Sequence, residues 1–150
     1  LVLSTLHTND AASAATRLLD MGVEPYLVTS TLNAAMAQRL VRTVCAECKE
    51  AYEPDPETLP ADLALPPGQK LYRGAGCRRC RGTGYRGRTG LFELLGVTEP
   101  VREKVMDRAP AGVILQTARR EGLRVLREDG WVKVLAGVTT PEEVIRSTMA

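Results

Sequence analysis

Aromatic residues are scarce in this chain of 150 residues: they make up 4% of it, with Trp131 the sole tryptophan and Phe92 the sole phenylalanine. A core must therefore be aliphatic, built from Leu, Val and Ala, and the length suits roughly one domain. No apolar run is long enough to span a membrane and no signal peptide is recognisable, which points to a cytoplasmic chain. Histidine is nearly absent too, His7 being the only one. The pattern G-x-x-x-x-G-K-[ST] is missing, since none of the four lysines follows a glycine. Without that loop, and without an acidic strand end to hold magnesium, these residues alone supply no phosphate cradle. Charge of neither sign dominates, and a formal net charge of +2 demands no nucleic-acid partner.

Cysteine is equally sparse but concentrated. All four lie in two CxxC pairs, Cys45 with Cys48 and Cys77 with Cys80. A CxxC turn presents two thiolates to one ion, and a second such turn closes a tetrahedral shell with no position left for water. The spacing thus predicts a structural zinc held by Cys45, Cys48, Cys77 and Cys80. The 28 residues between Cys48 and Cys77 exceed the usual gap of a zinc ribbon, so they are expected to form a short insertion. Disulfides are the competing reading, and the avoidance of cysteine elsewhere favours reduced thiols. A thioredoxin-like redox pair fits poorly, because Cys77 sits in a loop rich in Gly and Arg instead of opening an apolar helix. Charge around the pairs is uneven: six arginines and no acid from Arg73 to Arg88, five acids from Glu50 to Asp62.

The opening Leu1-Val2-Leu3, without a methionine, reads as a buried strand of a parallel sheet already under way, and so as the later part of a longer protein. That strand would continue to His7, with Asn9 or Asp10 capping a helix that runs through Leu18 and Leu19 to Gly22. His7 then lies at a strand's carboxyl end, where open α/β sheets bind ligands, although a lone histidine there is more often a local hydrogen-bonding cap. A second helix is expected over 24–41, with Gln38, Arg39 and Arg42 on its polar side. Pro54, Pro56, Pro60, Pro66 and Pro67 mark a loop with one short helix near Asp62. Leu71–Arg73 reads as a short strand and Leu91–Leu95 as an apolar one. Four helices follow, opening at Thr98, Pro110, about Leu123 and Thr140, the third bent or interrupted at Gly130.

Four ordered segments carry a family resemblance. Leu3-Ser4-Thr5-Leu6-His7-Thr8-Asn9-Asp10-Ala11 resembles the histidine box of the secretion ATPases that power type II secretion and type IV pilus assembly. Ala37-Gln38-Arg39-Leu40-Val41-Arg42, Gly84-Tyr85-Arg86-Gly87-Arg88-Thr89-Gly90-Leu91-Phe92-Glu93-Leu94, and the run from Asp129-Gly130-Trp131 to Gly137-Val138-Thr139-Thr140 are similar to further signatures of that family, in the same order. The resemblance implies an α/β fold: the last part of a RecA-like ATPase core over 1–44, a tetracysteine zinc subdomain and return strand over 45–95, and a helical C-terminal subdomain over 96–150. It also implies that the parent protein is a homo-hexamer that hydrolyses ATP with magnesium. Such a motor would sit at the cytoplasmic face of the inner membrane. There it would act on a platform protein and the machine's cytoplasmic membrane components, to polymerise pilin or pseudopilin and drive export. The cysteine module favours an assembly or secretion motor over a retraction motor.

Residue by residue, His7 matches the histidine that senses the terminal phosphate, a task suited to a side chain that donates a hydrogen bond in either tautomer. The four cysteines match the metal ligands. Arg88 lies between Gly87 and Thr89, from where a guanidinium can reach a phosphate bidentately; pairing with Glu93 is the structural alternative. Arg39 is a second candidate for nucleotide or a subunit interface, or else a solvated helix residue. Two other classes use some of the same residues. A nucleic-acid-binding zinc ribbon would draw on Arg78, Arg79, Arg81, Arg86 and Arg88, with only Tyr72 and Tyr85 nearby to stack on bases. A chaperone-type zinc module would draw on Cys77-Arg-Arg-Cys80-Arg-Gly82-Thr83-Gly84, but there is no second copy. Neither accounts for the His7 segment or the C-terminal helices.

Overall fold

Asp10 starts the first regular element. Its Oδ1 accepts the Ser13 N–H at 2.7 Å and its Oδ2 the Ser13 hydroxyl at 2.9 Å, which satisfies the free donors of a helix amino terminus. Helix α1 (Ala12–Asp20) buries Ala12, Ala15 and Leu19 and stops at Gly22, whose φ of +87° suits a residue without Cβ. Helix α2 (Pro25–Thr31) follows, with proline in its first turn. Later in the chain come α3 (Glu99–Met106) and α4 (Ala111–Arg120), which bury Val101, Val105, Ile114 and Ala118. The computed structural model describes residues 1–149, is mixed α/β, and divides into two packing units. The first, 1–38 with 92–125, holds these four helices, with α1 against α2 and α4, and α3 against α2 and α4.

The second unit is 39–91 with 126–150. Strands β2 (Lys49–Tyr52) and β3 (Leu71–Gly74) pair antiparallel, with Lys49 opposite Gly74 and Tyr52 opposite Leu71. Helices α5 (Leu126–Leu135) and α6 (Pro141–Thr148) pack on each other and bury Trp131, Val134 and Val144. The proline-rich stretch between β2 and β3 is tied to α5 through Asp62, whose carboxylate takes both prongs of Arg127 at 2.6 and 2.9 Å and the Trp131 indole N–H at 3.0 Å. These donors hold the Asp62 carboxyl below its ordinary range, the Arg127 fork most of all. Two longer strands, β1 (Ala34–Val44) and β4 (Tyr85–Gly96), form a sheet of their own. Cys45 N–H to Gly84 O beyond one end and Val97 N–H to Asn33 O beyond the other fix their opposite directions.

Two expectations change. Leu1–Leu6 is not a buried strand: it lies outside regular structure with Leu1, Val2 and Leu3 fully exposed. A strand needs a ladder partner for its amides, and among the described residues none runs beside this segment. The helix expected over 24–41 ends at Thr31, and 34–44 is β1. Its Ala, Met, Gln and Leu suit a helix, but pairing with β4 overrides propensity, with Ala37 and Val41 buried on one face. Helices α3 and α4 belong to the first unit and α5 and α6 to the second.

Helix α5 passes through Gly130 without a break. A Cβ there would fall 2.5 and 2.9 Å from the two methyls of Val144, so the glycine permits the close approach of α6. Gly130→Ala is therefore expected to destabilise by about 1–2 kcal/mol, the overlap with a stiff β-branched side chain outweighing about 1 kcal/mol of gained helix propensity. Thermal melting checks this, and a raised melting temperature would mean that Val144 yields.

Candidate metal centre

The β2–β3 register brings the two CxxC segments together. Cys48 precedes β2 and Ala75 follows β3, and the Ala75 N–H donates to Cys48 O at 2.9 Å. Each knuckle is closed by its own backbone bonds: Cys48 N–H to Cys45 O at 3.3 Å in the first, Gly82 N–H to Cys77 O at 2.9 Å in the second. The strand entering the second knuckle and the strand leaving it touch backbone to backbone. A Cβ on Gly74 would lie 2.0 Å from Gly84 O, which no side chain survives.

Four sulfurs converge from these turns. Cys45 Sγ lies 3.9 Å from Cys77 Sγ, Cys48 Sγ 3.8 Å from Cys80 Sγ, and Cys77 Sγ 3.7 Å from Cys80 Sγ. All four lie within 4.8 Å of one another. A disulfide needs about 2.05 Å, so the cysteines are free thiols. A tetrahedron with Zn–S bonds of about 2.3 Å has edges of roughly 3.8 Å, and the sulfur separations match it. Amides point at the cluster as well, with Cys77 and Gly84 N–H donating to Cys80 Sγ at 3.1 and 3.3 Å. The Cys77 amide leads in lowering the Cys80 thiol to about 6, which favours a thiolate. Desolvation among neighbouring sulfurs instead pushes Cys48 up to about 12. Four adjacent thiolates cannot share this site unaided, and a divalent cation removes that conflict.

The strand leading into Cys45 is laced to the loop between α5 and α6. Val44 N–H donates to Val138 O at 2.9 Å and the Thr139 hydroxyl to Arg42 O at 2.8 Å. The Arg42 guanidinium stacks 4.1 Å from the centre of the Tyr85 ring, whose hydroxyl meets Thr140 Oγ1 at 2.9 Å. Glu143, 1% exposed, accepts from Arg42 N–H at 2.9 Å, from its guanidinium at 2.6 Å, and from Arg146 at 2.9 Å. Burial pushes its carboxyl up, but the Arg42 and Arg146 bonds prevail and hold it at about 2.

Among the described residues, the four cysteines are the candidate site residues that gather into one cluster. His7 is exposed in the irregular segment before α1, Arg39 is half-buried on β1, and Arg88 is exposed on β4. Side-chain alternation puts Arg88 and the buried Glu93 on opposite faces of β4, against the pairing considered from sequence. Two buried carboxylates, Glu93 and Glu143, were not singled out as site residues. Glu93 had a signal, a lone acid on the inward face of the apolar run Leu91–Leu95; Glu143 looked like any early acid of a helix.

The bond from the Thr139 hydroxyl to Arg42 O joins two of the four ordered segments, 37–42 and 129–140, beside the four-sulfur cluster. The model of the type II/IV secretion system protein family matches residues 1–146. The chain belongs to that family. Among curated relatives of this secretion-system chain, a type IV pilus assembly ATPase PilB of Thermus thermophilus is 50% identical over 153 residues, covering 99% of this chain and 17% of the relative. A type II secretion system protein E of Aeromonas hydrophila is 47% identical over 150 residues, covering 99% of the chain and 30% of the relative. A type II secretion system ATPase E of Vibrio cholerae is 46% identical over 149 residues, at 99% and 29%. The family chain thus spans between about a sixth and a third of the length of these relatives. No helix among its described residues is long and apolar enough to cross a membrane.

Proposed function

We propose that this chain is the C-terminal part of a hexameric motor ATPase, with a RecA-like core, that couples ATP hydrolysis to pilin or pseudopilin assembly and to protein export. The observation that carries the reading is that pilus-assembly and secretion ATPases alike match 99% of the chain. Segment 1–44 completes the ATPase core in the parent and carries His7 toward the terminal phosphate of ATP bound with magnesium. Arg88 and Arg39 face nucleotide or a neighbouring subunit. The parent works in the cytoplasm at the inner membrane, against the platform protein of its machine. Cys45, Cys48, Cys77 and Cys80 hold one zinc. That ion supplies no chemistry beyond fixing the two knuckles, since four sulfurs leave no open position. Of the arginines around the second knuckle, Arg79 approaches Glu47 at 3.9 Å, and Arg73 just before it pairs with Glu50 at 2.7 Å, so acids of the first half lie among these cations.

Lacking a phosphate cradle, the 150 residues alone do not turn over ATP. In the full-length protein, His7→Ala is expected to lower kcat by about tenfold or more with little change in KM for ATP, since a phosphate sensor acts on the transition state. Steady-state kinetics test both points. Turnover by this chain alone, or an unchanged kcat in His7→Ala, would overturn the reading.

A further inference from the structure

Glu93 is a buried carboxylate to which the metal centre gives no role. It is 3% exposed on the inward face of β4, between Leu91 and Leu95, both fully buried. Its Oε1 accepts the Ala11 N–H at 2.8 Å across 82 residues of sequence. Ala11 stands immediately before α1, so the acid sits where a helix presents free amides and a partial positive charge. Burying a carboxylate is costly unless a charge-assisted hydrogen bond offsets it, and this one has such a bond. A leucine would fill the same position in an apolar strand without that cost.

The bonded amide belongs to the segment that carries His7. From His7 to Ala11 is four residues, so the histidine's Cα stays within about 14 Å of the amide that Glu93 holds. Asp10 fixes the next stretch by accepting from the Ser13 amide and hydroxyl. Two carboxylates therefore fix the exit of an otherwise irregular segment, one local and one from β4. We infer that Glu93 is a positioning residue for His7: β4 reaches through this carboxylate to set where the histidine segment leaves α1. The inference rests on the phosphate-sensing reading of His7.

The test uses the full-length protein with four variants, Glu93→Ala, Glu93→Gln, His7→Ala and Glu93→Ala with His7→Ala. Glu93→Ala is expected to lower kcat about tenfold while KM for ATP changes less than about twofold, because a lost charge-assisted bond misplaces a group needed in the transition state. Glu93→Gln keeps an acceptor at Oε1 and should recover kcat to within about threefold of the parent. The double variant should be no slower than His7→Ala alone, since removal of the histidine leaves nothing to position. In this chain, the Ala11 amide should exchange with solvent faster in Glu93→Ala than in the parent, while Val105 and Ile114 amides keep their protection. If His7→Ala lowers kcat but Glu93→Ala does not, or if the two losses multiply, the inference fails and the sensing reading stands. If His7→Ala is without effect, both fail. Loss of protection throughout α1 to α4 would reduce Glu93 to a packing role and overturn the inference as well.

Discussion

Cys77→Ser, or removal of the metal by a chelator, is expected to cost the unit formed by 39–91 and 126–150 most of its order while leaving α1 to α4 protected. Metal binding in small tetrahedral sites is worth on the order of 10 kcal/mol, as much as the whole stability of a domain. Little else in the knuckles replaces it: their sulfurs meet at 3.7–3.9 Å around a desolvated point, and the segments between are turns. The loss should reach α5 and α6, because the Gly137–Thr140 loop is bonded to the strand entering Cys45 and Asp62 of the insertion is bonded to α5. Residue-resolved amide exchange with and without chelator measures the extent, and elemental analysis with a thiol count under denaturing conditions should return one zinc and four thiols per chain. An unchanged exchange pattern in Cys77→Ser, or protein without metal, would remove the metal from the account of this fold.

Acid should loosen the same unit through a different group. Glu143 titrates at about 2 in the folded chain against an ordinary 4.5. A carboxyl lowered by folding stabilises the native state above its unfolded value, and that contribution fades as pH falls from the unfolded value toward the folded one. The shift corresponds to about 3 kcal/mol at most, present at neutral pH and lost between about pH 5 and pH 2. Arg42 remains half-exposed, so water recovers part of its charge when the partner is lost, and about 2 kcal/mol is expected for Glu143→Gln at pH 7. Urea unfolding across pH 2 to 7 should show the stability of Glu143→Gln falling less steeply in the acid range than that of the parent. Parallel curves for the two proteins would place the acid sensitivity elsewhere.

The readable parts of the sequence were those whose physics is local. Paired CxxC spacing, Asp10 before an alanine-rich helix, prolines opening α3 and α6, and glycines closing α1 and α5 each act over a few residues, and the structure contains each of them. The errors lie where a partner far along the chain decides. Residues 34–44 have the propensity of a helix and become β1 because β4, some fifty residues later, pairs with them. Leu1–Leu6 has the composition of a strand and lacks a neighbour to make it one. Within the site, the gathering of the four cysteines was legible from spacing alone. Glu93 and Glu143 were not, since a buried acid differs from an exposed one only through the donors that fold against it, across 82 residues for the first and 101 for the second.

The register of one small hairpin also separates metal chemistry from chain length. With Lys49 opposite Gly74, the 28 residues between Cys48 and Cys77 shrink to the width of two hydrogen-bonded strands. The sulfurs therefore sense the pairing at the hairpin's base and not how much polypeptide loops out beyond Tyr52 and Leu71. Lengthening such a loop costs only logarithmically in closure entropy. Apart from Asp62 and the buried Leu63, the proline-rich stretch is thus a place where sequence can drift, shorten or acquire new surface while the four-cysteine corner stays as it is.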